Sequence, residues 1–186
     1  VDALLSARRN LKNVTVVVEL QARFDDVDPD EPLSAKSVAR AMSLKAICNK
    51  GLGQEKEAAE LFIAASNLDP DNPKHRSNLV VAFLILKKPD EAEAYVRALI
   101  AEEPDNVMHW ANLIHVCNAK GVPLEIDEVP VELQRAKDVC VAQLATLRSQ
   151  EDPIWPEFAR SGLALHPNSK TLQRAVAEAD LEEAIV

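Results

Sequence analysis

The chain has 186 residues and 47% hydrophobic content, enough apolar material for one folded domain or a short repeat array and too much for wholesale disorder. Aromatic residues make up only 4% and glycines number four, too few of either for the strand packing and turns of an all-β fold. With a net charge of −9 and no run of Lys and Arg longer than two, the chain would repel a phosphate backbone, so nucleic acid is not an expected partner.

In chain order, Val14 to Val18 is almost all β-branched and reads as a strand or, since no partner strand is visible, as the start of a buried helix from Val14 to Phe24. A helix is expected from Ser37 to Lys50, then a turn at Gly51-Leu52-Gly53, then a helix from Glu55 to Leu68 that buries Ala58, Leu61, Phe62 and Ala65. Asn78 to Leu86 places Leu79, Ala82, Phe83 and Leu86 on one helical stripe. Lys87-Lys88-Pro89-Asp90 breaks that helix, because Pro89 has no backbone donor, and Asp90 is the expected N-cap of the next. Glu91 to Ala101 would bury Ala92, Tyr95, Val96 and Leu99, and Val107 to Lys120 would bury Trp110, Leu113, Val116 and Cys117 before Gly121 stops it. Val122 to Pro130, with two prolines and three acids, is expected to be a loop. Val131 to Ser149, Ile154 to Leu165 and Ser169 to Ala184 read as helices, the last acidic at Glu178, Asp180, Glu182 and Glu183.

The chain repeats itself. Asp69-Pro70-Asp71-Asn72-Pro73 returns thirty-four residues later as Glu103-Pro104-Asp105-Asn106-Val107, and the same slide superposes Glu57 on Glu91, Ala58 on Ala92, Ala64 on Ala98, His75 on His109, Asn78 on Asn112 and Leu79 on Leu113. A weaker copy stands at Asp28-Pro29-Asp30-Glu31-Pro32. Two helices per unit at this period mean stacked units, since one pair buries too little apolar surface to fold alone.

A 34-residue helix–turn–helix period with small residues at the helix crossing resembles the tetratricopeptide repeat. Trp110 and Leu113 match the first helix of that pattern, although Ile114 and Cys117 replace its usual Gly and Tyr. In the preceding unit Leu79, Phe83, Ala92 and Pro104 fit, with Val80 standing for the Gly; upstream, Gly53, Ala58, Phe62, Ala65 and Pro70 supply a second half. The likeness is clearest over residues 39–121, with divergent flanks at 1–38 and 131–186, and it implies one all-α domain over residues 1–186: a right-handed superhelix of stacked antiparallel helix pairs. It further implies a non-catalytic scaffold that holds a peptide or partner segment in a concave groove lined by the first helices. Carried over, the lining is Lys74, Ser77, Asn78, Val81, Leu84 and Ile85, then Met108, Ala111, Asn112, His115 and Asn118. The positions that grip a C-terminal carboxylate in some members hold Ser43, Ile47, Asn78, Met108 and Asn112, so that clamp is not expected.

Each candidate has a plainer counterpart. Val81, Leu84 and Ile85 either form an exposed apolar patch for a ligand or are covered by flanking helices. Asn78 and Asn112 either bond the backbone of an extended ligand or bridge two helices. His109 and His115 are six residues apart, do not share a helical face and cannot chelate one metal from it. Cys48, Cys117 and Cys140 form no C-x-x-C pair and lie on apolar stripes, which suits core packing and a reducing, cytoplasmic setting. Asn13-Val14-Thr15 is a chance glycosylation sequon on this reading.

The longest apolar run, Leu79 to Leu86, is eight residues, well short of the roughly 20 that span a bilayer. No nucleophile elbow, phosphate loop, zinc spacing or nucleotide fingerprint is present, so no enzyme activity, cofactor or metal is expected. The alternative is a repeat region cut from a larger enzyme or assembly factor, docking substrate or driving self-association; the chain opens on Val rather than Met, as such an excised region would.

Overall fold

The computed structural model describes residues 34–184, and every regular element among them is helical. The expectations for Val14 to Phe24, the sequon at Asn13 and the copy at Pro29 lie outside the described residues. The helices are α1 (Ala35–Gly51), α2 (Glu55–Leu68), α3 (Pro73–Ile85), α4 (Pro89–Glu102), α5 (Val107–Ala119), α6 (Lys137–Ser149), α7 (Trp155–Leu165) and α8 (Lys170–Glu183), with a 3-10 turn at Ile126–Glu128. They fall into two compact units, the first ending at Lys88 and the second starting at Pro89. In the first, α2 packs against both α1 and α3; in the second, each of α4 to α8 packs against the next. Consecutive helices side by side are the arrangement of a stacked helical repeat.

The cores are built largely from small residues. In the first unit Ala46, Ala58, Ala59, Phe62 and Ala82 form one buried cluster, so the helices approach closely. In the second, Ala111, Ile114, Val129, Val139 and Ala142 form one cluster, and Leu144, Ala159, Leu172 and Ala175 another. Gly162 lets α7 sit close to α8: a Cβ added there would lie 3.3 Å from Leu172 Cδ2.

Helix ends explain the period. Gly53, Lys87, Gly121 and Glu151 all have positive φ (80°, 58°, 72° and 56°), and the first three are spaced at the repeat length. Each closes a helix with paired reverse bonds: Gln54 N–H to Asn49 O, Lys88 to Phe83, Val122 to Cys117 and Asp152 to Leu147, all 2.9–3.1 Å. That is the left-handed C-terminal cap that satisfies the last carbonyls. α1, α3, α5 and α6 therefore end alike. Counted back from these caps, Ala46, Val80, Ile114 and Leu144 are equivalent and all buried, as are Cys48, Ala82, Val116 and Thr146. The helices that end without this cap, α2, α4 and α7, stop at Asp69, Glu103 and His166, each followed by Pro.

α6 is thus a first-type helix that follows another first-type helix, α5. The second helix that should partner α5 is missing, and residues 122–136 stand in its place as a strap. The expected helix from Val131 starts only at Lys137; residues 131–135 are turns. Gln134 Nε2 donates to the carbonyls of Ile126 (3.2 Å) and Val129 (3.0 Å), which holds the turn shut. Leu124, Ile126, Val129, Leu133 and Ala136 bury the strap against α5 and α6.

Other boundaries shift at the N-terminal side. α3 begins at Pro73, not Asn78, because Asn72 caps it by accepting the Lys74 N–H at 3.1 Å. α4 begins at Pro89, so Asp90 lies in its first turn rather than at the cap. Proline suits the first helical position, where its missing donor costs nothing. α8 buries Leu172, Ala175 and Ala179 and exposes Asp180, Glu182 and Glu183, with Arg160 Nη2 bonding Asp180 and Glu183 at 2.8 Å.

Candidate interaction surfaces

The two Asp/Glu-Pro-Asp-Asn segments build matching junctions. Asn106 Oδ1 accepts the Met108 N–H while its amide donates to Glu103 Oε2 at 2.8 Å; Asn72 does the same with Lys74 and Asp69. The same carboxylates meet a buried histidine one turn on: His109 Nε2 lies 3.3 Å from Glu103, and His75 Nε2 lies 3.6 Å from Asp69. A third junction, His166-Pro167-Asn168-Ser169, has lost the acid and the histidine together, and Leu172 fills the histidine's place. The two histidines serve as junction posts, orienting α3 and α5 as they leave their turns.

Ser43 Oγ bonds His75 Nδ1 at 2.8 Å, so serine, histidine and aspartate stand in a row. The order is that of a nucleophilic relay, but Ser43, His75 and Asp69 are only 6%, 3% and 8% exposed. No substrate reaches the hydroxyl, and the row ties α1 to the start of α3. Among the described residues no group of His, Cys, Asp and Glu is placed to hold a metal.

The expected lining residues have different fates. On α3, Lys74 is exposed, while Ser77, Asn78, Val81, Leu84 and Ile85 are half-buried. Val81 and Ile85 pack against the small-residue core of the first unit, so they are not an exposed patch. The buried positions of α3 are instead Val80 and Ala82, with His75. On α5, Met108 and His115 are exposed, Ala111 belongs to the core, and Asn118 Oδ1 accepts from Ser149 Oγ at 2.9 Å. Asn112 is buried and its Nδ2 has no hydrogen-bond partner. Met108, Ala111, Asn112, His115 and Asn118 follow helical spacing, so they share one stripe of α5.

The strap creates two clefts that the sequence did not reveal. One, of about 410 Å³, is bounded by the strap, α6 and the start of α7; Ile114, Leu124, Ile126, Leu147, Ile154 and Phe158 supply its apolar walls. The other, of about 240 Å³, lies between the strap and α4, with Glu93, Arg97, Lys120 and Cys117 on its walls. Lys120 Nζ bonds Asp90 and Glu93 at 2.7 Å, and Arg97 Nε bonds Glu93 at 2.8 Å. These cations hold the Glu93 carboxyl below its ordinary value, Lys120 foremost and then Arg97. Burial pushes the Cys117 thiol up, with the Glu93 carboxylate adding to it, so the sulfur stays protonated and unreactive. The clues to the strap were the failure of the 34-residue match after Gly121 and the prolines and acids of Val122 to Pro130, which marked a loop.

Paired helices, repeated caps and repeated junctions define a helical-repeat protein. The family model described as tetratricopeptide repeat matches residues 51–114. Repeats of that family generally mediate protein–protein interaction. No curated protein matches the chain.

Proposed function

We propose that this chain is a non-catalytic scaffold that docks a peptide or segment of a partner protein on the exposed faces of its first helices. On α5 the docking stripe runs through Met108, His115 and Asn118, with Asn112 buried beneath; on α3 it runs through Lys74, Ser77, Asn78 and Leu84, with Val81 and Ile85 beneath. The observation that carries this reading is Met108, a large apolar side chain left 41% exposed on the same stripe as the exposed His115. Methionine adapts its shape to irregular partners. Three buried free cysteines suit a reducing, cytoplasmic setting, and the acidic charge suits a protein partner rather than nucleic acid.

The test is capture from source lysate by the wild type and by Met108→Glu/His115→Glu. Both sites are exposed, so the fold should survive, which circular dichroism would check. A partner retained by the wild type and lost by the variant supports the reading; equal capture by both removes α5 from the interface.

A further inference from the structure

In place of the helix that should follow α5 there is a strap, and beside it a cleft of about 410 Å³ whose walls include no Lys or Arg. Ile154, 53% exposed, stands at its open rim beside the exposed Gln150, and Gln143 and Thr146 add polar groups to the α6 wall. Val122 and Val131, each 70% exposed, stand elsewhere on the same strap. The strap also carries four exposed carboxylates, Glu125, Asp127, Glu128 and Glu132, against the single cation Arg135, and Glu125 is itself on the cleft wall. An apolar slot edged by negative charge selects for an apolar ridge edged by positive charge.

We propose that this cleft seats the apolar face of a basic amphipathic helix from a partner protein, placed where the repeat lacks its own second helix. Leucine-like side chains at i, i+3 and i+4 of that helix would enter between Ile126, Leu147, Ile154 and Phe158, and its lysines or arginines would face Glu125 and the strap. A second copy of this chain is the poorer occupant, because a two-fold contact sets each strap's carboxylates against the other's. The surface is separate from the stripe of α5 proposed above.

The probe is a synthetic helix-forming peptide of Leu, Ala and Lys with Leu at i, i+3, i+4 and i+7 and Lys on the opposite face, titrated into the full chain by calorimetry. A matched peptide with Glu for every Lys is the control. The Lys peptide is expected to bind, more weakly as salt rises, and the Glu peptide is not. Ile154→Arg removes an apolar anchor and adds a like charge, and should weaken binding about tenfold or more. Ile154→Ser, a milder change at the same exposed site, guards against a folding artefact and should weaken it less. Glu125→Gln should weaken it a few-fold. No binding, equal binding of both peptides, or affinity unchanged by Ile154→Arg and Ile154→Ser would each overturn the proposal. A dimer in sedimentation that Ile154→Arg dissolves would overturn it too, by giving the cleft to a second copy.

Discussion

Lys87 occupies a backbone position that the units on either side give to glycine, at Gly53 and Gly121. Its φ of 58° matches the 80° of Gly53 and the 72° of Gly121, and the two reverse hydrogen bonds of the cap form around all three. A side chain in that conformation costs roughly 1–2 kcal/mol. Glycine removes the cost but gives the unfolded chain more freedom, worth about 0.4–1 kcal/mol. Lys87→Gly should therefore stabilise by about 0.5–1 kcal/mol, and Gly121→Ala should destabilise by a similar amount. The second change is a clean control, because a Cβ on Gly121 would meet nothing within 4 Å, leaving backbone strain as its whole effect. Urea unfolding followed by circular dichroism reads both as shifts in midpoint at constant slope. Opposite shifts are expected. A neutral or destabilising Lys87→Gly, or a Gly121→Ala that costs nothing, would refute the claim that one cap recurs along the chain.

Further changes test other joints. Ala92 is fully buried, so Ala92→Leu overpacks α4 and should cost on the order of 1–3 kcal/mol, seen as a clear fall in melting temperature. Glu103→Ala strands His109, which is 1% exposed, at a cost of about 1–3 kcal/mol; adding His109→Leu, which copies Leu172, should recover part of it in a double-mutant cycle. Glu93 has its carboxyl held low in the folded state, so its contribution is complete above the ordinary carboxylate value and is lost as pH falls through the lower, folded one. Glu93→Gln should accordingly lower stability at neutral pH and flatten the acid limb of a stability–pH curve, and an unchanged acid limb would count against the Lys120–Glu93–Arg97 cluster.

The repeat was legible in the sequence because its punctuation is chemical. Proline with an acid before it, a capping Asn after it, and glycine at two of the four left-handed caps each mark a boundary, and the spacing follows from them. Proline also misled. Pro89 read as a breaker, yet it is the first residue of its helix, as Pro73 is of α3. The strap was legible only in its first half, where the prolines and acids of Val122 to Pro130 marked a loop. Glu132 to Ala136 is made of good helix formers, and backbone bonds to Pro130 and Leu133, the side-chain bonds of Gln134, a bond between His166 and the Arg135 carbonyl and the burial of Leu133 hold it as turns. The face of α3 was illegible too, because Leu79 to Leu86 is apolar all round and periodicity alone cannot choose a side.

The replaced helix has an energetic consequence as well as a geometric one. A helix satisfies its own backbone and offers its neighbours a whole apolar stripe, whereas residues 122–136 are held by five apolar side chains, a set of local turn bonds, the two bonds of Gln134 and one between His166 and the Arg135 carbonyl. A helix in the same place would turn one stripe inward and close the space between its neighbours; the strap instead leaves a cleft on each side of itself and turns its carboxylates outward. The departure from the repeat and the appearance of a second surface are thus one physical event: the strap covers Ala111, Ile114, Val139 and Ala142 but leaves Leu147, Ile154 and Phe158 on the wall of an open cleft.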